Sequence, residues 1–290
     1  MDGRTKDPLR ILAPNPSPLT GPGTTTFLLG ERDVAVIDPG PDDPGHLAAI
    51  VEAGQGRISH ILVTHAHLDH SAGARTLSRM TGAPVLAFGD ARSGRSPMMR
   101  RLAEEGVGGG VGGGEGLDLR FAPDITLHDG QVIRGEGWDL TALHTPGHAG
   151  GHLSLLWGDR IFCGDLVMGW SSTIISPPDG DLADYLRSLD RLAQMRPRRL
   201  LPAHGDPIED PLSRLADLAA HRRQRSAQIL TALRDGPADA ATLAGRIYDV
   251  APALLPAATR NVLAHLLALT DLGAVAALDP LGPGTRFMSL

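Results

Sequence analysis

Cysteine is all but missing: Cys163 stands alone, so no disulfide can form within the chain. The opening MDGRTKDPLR lacks the apolar run of a secretory signal, and no stretch approaches the ~18 consecutive apolar residues of a membrane span. Both shortfalls point to a reducing, cytoplasmic setting with no membrane partner. Aromatic residues make up 3% of the chain, which leaves little material for stacking on unpaired bases. Lys6 is the single lysine among 27 Lys and Arg, a skew that reads as codon bias rather than function. Positive charge is not in excess either. The formal net charge of −6 gives no general pull toward nucleic acid or anionic lipid.

What is present is a globular composition, 42% hydrophobic and 21% charged over 290 residues, enough for one large domain and a smaller one. From Thr24 to about Asp210, short β-branched runs alternate with helical stretches, the pattern of an α/β domain. TTTFLL (24–29) and DVAVID (33–38) form a hairpin, followed by a helix over 46–53 and a buried strand over 58–64. Further strands are expected at 84–88, 140–145, 152–157, 160–163 and 199–203, with a helix over 182–195. The run GVGGGVGGGEG (106–116) reads as a mobile loop, because no GKS or GKT follows to make it a phosphate cradle.

After Pro211 the chain turns Ala/Leu/Arg-rich, which sets domain limits of 1–210 and 211–290. Leu215, Leu218, Ala219, Ile229, Leu230 and Leu233 keep helical spacing, and Gly236-Pro237 ends that helix. A second apolar helix over 256–272 precedes AVAAL and TRFMSL, two short runs that read as a hairpin; the whole is winged-helix-like. Its eight Arg against six Asp leave a net charge of +2, which is weak for reading DNA. The second helix offers Arg260 and Asn261 as polar contacts, so no sequence-specific DNA binding is expected, and a cap, dimerisation surface or packing module fits better. His221, Arg222, Arg223 and Arg225 form one basic cluster, which a solvated helix face explains equally well.

The densest chemistry lies at the exit of the 58–64 strand. His65, His67, Asp69 and His70 spell H-x-H-x-D-H, a run of nitrogen and oxygen donors with the composition of a metal site rather than of a core. So short a segment cannot close two metal shells. The remaining donors must come from afar, and three sit at strand ends beside small residues: His148 in TPGHAGGH, Asp165 in FCGD and His204 in LPAHGD. Asp38, closing DVAVID, is a candidate acceptor for a ligand imidazole or a cap for the Pro-Gly turn. His144 and His152 flank His148 as supporting or structural residues, while His46, His60, His128 and His265 have no partners in sequence. Cys163 reads as packed rather than reactive.

THAHLDH, TPGH, CGD and PAHG, in that order, resemble the metallo-β-lactamase superfamily over about residues 10–210. That resemblance implies an αββα sandwich with the ligands along one edge of its two sheets. It assigns His65, His67 and His148 to a first metal and Asp69, His70 and His204 to a second, with Asp165 bridging and Asp69 also orienting a water. HSAGA departs slightly from the family pattern after the motif, at no catalytic position. Asp165 stands where common zinc β-lactamases carry Cys or a non-bridging residue, so antibiotic hydrolysis is not expected. Two divalent ions, zinc with manganese or iron as alternatives, would generate a metal-bound hydroxide. NPSPLTGPGTTTFLLG, VIDPGPDD and the tail from HRRQRSAQIL are similar to a lactamase-like subgroup of endoribonucleases and of thioesterases acting on carrier-bound polyketides. The expected substrate is therefore a small-molecule or carrier-bound thioester or related acyl ester, with single-stranded RNA as the alternative. A nucleic-acid-binding regulator with a structural metal is the reading from another class, opposed by the bridging carboxylate.

Overall fold

Alternation along the strands decides the architecture. In β2 (Thr25–Leu29) and β3 (Val34–Ile37), Phe27, Leu29, Ala35 and Ile37 join one apolar cluster while Leu28, Val34 and Val36 join another. A sheet that is apolar on both faces must be covered on both. The structure, a computed structural model, describes residues 7–107, 116–282 and 284–290. Residues 108–115 of the glycine-rich run, read as a loop from sequence, lie outside the described residues.

The first sheet runs in the order β1 (Leu9–Leu12), β2, β3, β4 (Ile58–Leu62), β5 (Val85–Ala87) and β6 (Ile125–Thr126). The second runs β11 (Arg199–Pro202), β10 (Arg160–Gly164), β9 (Leu153–Trp157), β8 (Trp138–His144) and β7 (Val132–Gly135). Their facing sides share a core that includes Phe27, Ile37 and Leu62 from one sheet and Leu140, Leu155 and Phe162 from the other. Helices α1 (Pro44–Gly54) and α3 (Ala74–Thr81) cover the outer face of the first sheet through Leu47, Ile50 and Leu77. The outer face of the second is covered by α5 (Leu182–Gln194) and the start of α6 (Pro211–Ala232). This is the αββα sandwich expected from sequence.

Local chemistry places these helices. Asp43 caps α1, its side chain accepting from His46 N at 2.8 Å with Pro44 just inside the helix, and Asp181 caps α5 by accepting from Ala183 N and Asp184 N. On α5, Leu182, Tyr185, Leu189 and Leu192 are buried on one face at helical spacing. Short α2 (Leu68–Ser71) and α4 (Pro97–Glu104) complete the first domain.

Helix α6 serves two cores. Leu215, Leu218 and Ala219 pack against the second sheet, whereas Ile229, with Leu233 of the turn that follows, joins a separate cluster with α7 (Ala240–Ile247), α8 (Leu255–Asp271) and the hairpin of β12 (Val275–Ala277) and β13 (Phe287–Ser289). Three helices and an antiparallel hairpin make the C-terminal winged helix. The sequence reading misses the helices α2, α3, α4 and α7 and the strands β1, β6 and β7.

Candidate metal centre

Pairing of β3 with β4 in parallel, and of β10 with β11 likewise, sends the loops after these strands to one edge of the sandwich. His65 and His67 lie just past β4, Asp69 and His70 on α2, His148 in the turn between β8 and β9, Asp165 just past β10, and His204 just past β11. All seven donors expected from sequence meet there, all buried.

Asp38 is the hub. It ends β3 with φ of 51°, accepts from Thr64 N at 2.7 Å and from Thr64 Oγ1 at 2.8 Å, and lies 3.0 Å from His70 Nδ1. The Thr64 hydroxyl hydrogen is thereby spent, so its oxygen accepts from His65 Nδ1 at 3.0 Å. His148 Nδ1 donates to the Ile174 carbonyl at 2.8 Å, and His204 Nδ1 to the Gly23 carbonyl at 3.2 Å. Because a carboxylate or carbonyl cannot donate, these four rings carry hydrogen on Nδ1 and turn Nε2 inward.

His67 is reversed. Its Nδ1 faces the centre, 2.9 Å from both His65 Nε2 and His148 Nε2, so three ring nitrogens converge on one point. On the other side His70 Nε2 and His204 Nε2 approach Asp69 Oδ2 at 3.3 and 3.2 Å, and Asp165 Oδ1 at 3.4 and 3.2 Å. Asp165 Oδ2 lies 3.7 Å from His148 Nε2, so this carboxylate reaches toward both groups. His67 Nε2, Asp69 Oδ1, His70 Nε2 and Asp165 Oδ1 are buried with no hydrogen-bond partner among the described residues. His67 Nε2 is on the outer side, but the converging imidazole and carboxylate donors, with His70 Nε2 and Asp165 Oδ1 turned inward and left unpaired, fit divalent cations.

The electrostatics of the bare protein follow from the same contacts. Burial, then the neighbouring His148, pushes His67 down to about 3. Burial also opposes the charge on His204, but Asp165 and Asp69 outweigh it and raise that ring to about 10. His70 is raised well above its ordinary value against the same burial penalty, by Asp69, Asp165 and Asp38. The site without metal thus balances its carboxylates with protons on two histidines, and those protons must leave before Nε2 can act as a ligand.

Other candidates fall outside the centre. His144 stacks on Phe88 at 3.9 Å and bonds the Gly150 carbonyl, and His152 is buried with Nδ1 3.0 Å from Thr145 Oγ1. His46 packs with Nε2 2.9 Å from Thr26 Oγ1, and His265 lies in the C-terminal domain, 2.9 Å from Ser226 Oγ. Cys163 is packed in the layer beneath α5, its thiol pKa raised by burial. Sequence reasoning misses Thr24, Thr64 and Thr173, whose hydroxyls contact Asp69, His65 and His148.

A cavity of about 290 Å³ opens onto Asp69, His148, Asp165 and His204. Leu19, Met168, Trp170 and Ile174 wall one side, and Tyr248, Leu254 and Ala257 of the C-terminal domain wall the other. A larger recess of about 670 Å³ beyond Trp170 reaches none of the seven donors. The basic cluster on α6 is not a solvated face throughout: Arg222 is 2% exposed, with its guanidinium bonded to the Thr173 carbonyl and over the Tyr185 ring. Asn261 also departs from the expected polar surface contact, because it turns toward the catalytic domain and accepts from Ile175 N at 3.3 Å.

Comparison with known proteins agrees with this geometry. Residues 19–204 match the family described as Metallo-beta-lactamase superfamily, and residues 240–280 match the Beta-lactamase associated winged helix domain. The chain is 29% identical over 281 residues to the Beta-lactamase-like protein 2 homolog of Drosophila melanogaster, covering 93% of this chain and 89% of that one. It is 31% identical over 233 residues to an Atrochrysone carboxyl ACP thioesterase of Aspergillus chevalieri, covering 78% of this chain and 66% of the thioesterase. A solved metallo-beta-lactamase family protein of Thermus thermophilus superposes with a TM-score of 0.76 at 26% identity, covering 98% of both chains. The chain therefore belongs to the metallo-β-lactamase superfamily of hydrolases and carries its associated winged helix domain.

Proposed function

We propose that this protein is a dinuclear metal-dependent hydrolase of acyl thioesters presented on a carrier. The observation that carries the substrate class is the cavity: its walls are largely apolar, and no Arg or Lys is among the described residues lining it. Such a lining suits an acyl chain and offers no cationic side chain to a polyanionic backbone. The fungal relatives named as ACP thioesterases support the same class.

His65, His67 and His148 would hold one divalent ion and Asp69, His70 and His204 the other, with Asp165 shared. When bound, the ions supply Lewis acidity, polarising the substrate carbonyl and bringing the pKa of water down toward about 7. Zinc is the favoured ion; the same donors accept manganese or iron. Asp69 has work beyond holding metal. Thr24 lies 3.3 Å from its Oδ2, which leaves the unpaired Oδ1 as the oxygen that would take a proton from the attacking water and orient it. The apolar walls exclude bulk water and fix the acyl chain. A departing thiolate, with a conjugate-acid pKa of about 8.5, needs no protonated side chain to leave.

The test is a parallel assay of the metal-loaded protein on a carrier-bound acyl thioester and on single-stranded RNA. Thioester turnover without RNA cleavage is the expected result. RNA cleavage without thioester turnover would replace the substrate class and leave the metal centre in place, and metal binding without either activity would favour a regulatory protein.

A further inference from the structure

Arg222 is the largest fully buried side chain among the described residues, and it sits where two domains meet. Burying a guanidinium is expensive unless its charge and its donors are used. Two of its nitrogens go to a backbone carbonyl and an amide oxygen, while Nε has no hydrogen-bond partner among the described residues. One nitrogen bonds the Thr173 carbonyl, another lies 3.4 Å from Asn261 Oδ1, and the plane lies over Tyr185 with 5.4 Å to the ring centroid. The same Asn261 oxygen, on α8, accepts from Ile175 N at 3.3 Å. Residues 173 and 175 are therefore tied to α6 and α8, and the residue between them is Ile174, whose carbonyl takes the hydrogen of His148 Nδ1 at 2.8 Å. Thr173 Oγ1 stands 3.0 Å from the same nitrogen.

We infer that Arg222 and Asn261 are positioning residues for His148. The winged helix domain thereby sets the orientation and tautomer of a ring in the catalytic centre. This deepens the proposed function and rests on its assignment of His148 as a metal ligand, but the physical claim concerns the imidazole itself. Held at both ends, the 173–175 segment presents the Ile174 carbonyl along the ring plane, keeps hydrogen on Nδ1 and directs Nε2 inward. Released from Asn261, the segment moves, the Nδ1 hydrogen loses its fixed acceptor, and the ring samples other orientations. Only the acceptor oxygen of Asn261 is used in these contacts, so Asn261→Asp retains the clamp while Asn261→Ala removes it.

The experiment uses the full chain in two forms. In metal-free protein labelled with 15N-histidine, the Nδ1–H signal of His148 should be sharp in the wild type and in Asn261→Asp, and broadened or lost in Asn261→Ala and Arg222→Met. In titrations with Zn2+ against a chromophoric chelator, Asn261→Ala should weaken one of the two sites by about 10- to 100-fold, the range for loss of support behind a ligand. Arg225→Met is the control. It removes a guanidinium stacked 3.9 Å over Tyr248 at the same domain boundary without touching 173–175, so it should lower Tm and change neither readout. A wild-type Nδ1–H signal and wild-type Zn2+ affinity in Asn261→Ala would overturn the inference. A wild-type chain that binds no Zn2+, yet whose His148 signal responds to Asn261→Ala, would sink the metal reading and leave the positioning role standing.

Discussion

The centre is fixed residue by residue through the atoms that face away from it. Asp38 holds the Thr64 backbone, the Thr64 hydroxyl and His70 Nδ1, and through Thr64 it also sets His65, so one carboxylate orients rings on both sides of the site. Asp38→Asn replaces one acceptor with a donor and must break part of that set. Zinc affinity measured by chelator competition should fall by about 10- to 100-fold, with the fold retained by circular dichroism. A buried histidine elsewhere gives the molecule an acid limit. Burial, followed by the charges of Arg222 and Arg225, pushes His265 down to about 3, and its Nε2 has no partner among the described residues. An unfolded histidine takes a proton near 6.5, so the unfolded state binds more protons between about 6.5 and 3. Stability of the winged helix is fully present above that window and declines as pH falls through it, by an amount on the order of a few kcal/mol. Denaturant unfolding at pH 7 and pH 4 should show a smaller loss in His265→Gln than in the wild type.

Elements differ in how openly the sequence announces them. Strands β2 to β4 are legible because apolar residues lie on both of their faces, and the H-x-H-x-D-H donors at the end of β4 are legible because no core explains them. Strand β1 is largely exposed, with Leu9 and Leu12 both about half exposed, so it carries no alternation and forms through edge pairing with β2. Helix α7 is small and Ala-rich, stabilised by packing on α8 rather than by its own periodicity. Helix α4 did carry a signal in Ser96 followed by Pro97, a cap with proline inside the first turn. The carbonyls of Gly23 and Ile174, which set two tautomers, have no sequence signature at all because every residue has one. Gly147 shows how tightly the elements carrying the site are packed. Its φ is +146°, and a Cβ there would lie 2.4 Å from Tyr185 Cα on α5, so Gly147→Ala must push the His148 turn away from that helix. Zinc stoichiometry should drop in this variant, while Gly130→Ala, on an open turn also at positive φ, should lose some stability without losing metal.

At the scale of the whole molecule the two domains build one cavity. The catalytic sandwich supplies the donors, and the winged helix supplies Tyr248, Leu254 and Ala257 along the opposite wall. Acyl length should therefore be sensed by the C-terminal domain. Leu254 is 48% exposed and lines the cavity, so Leu254→Asp should be tolerated by the fold. It should lower kcat/KM for a long-chain acyl thioester by about tenfold, the loss expected for one leucine-sized apolar contact, with little change for an acetyl thioester. Comparable losses on both substrates would place the acyl chain elsewhere. The central claim, a pair of ions acting together on a thioester, is tested most directly by stripping the full chain of metal and following thioester turnover as Zn2+ is added back. The titration should stay low through the first equivalent and rise to a plateau at two per chain. A plateau at one equivalent, or turnover that persists in the stripped protein, would contradict it.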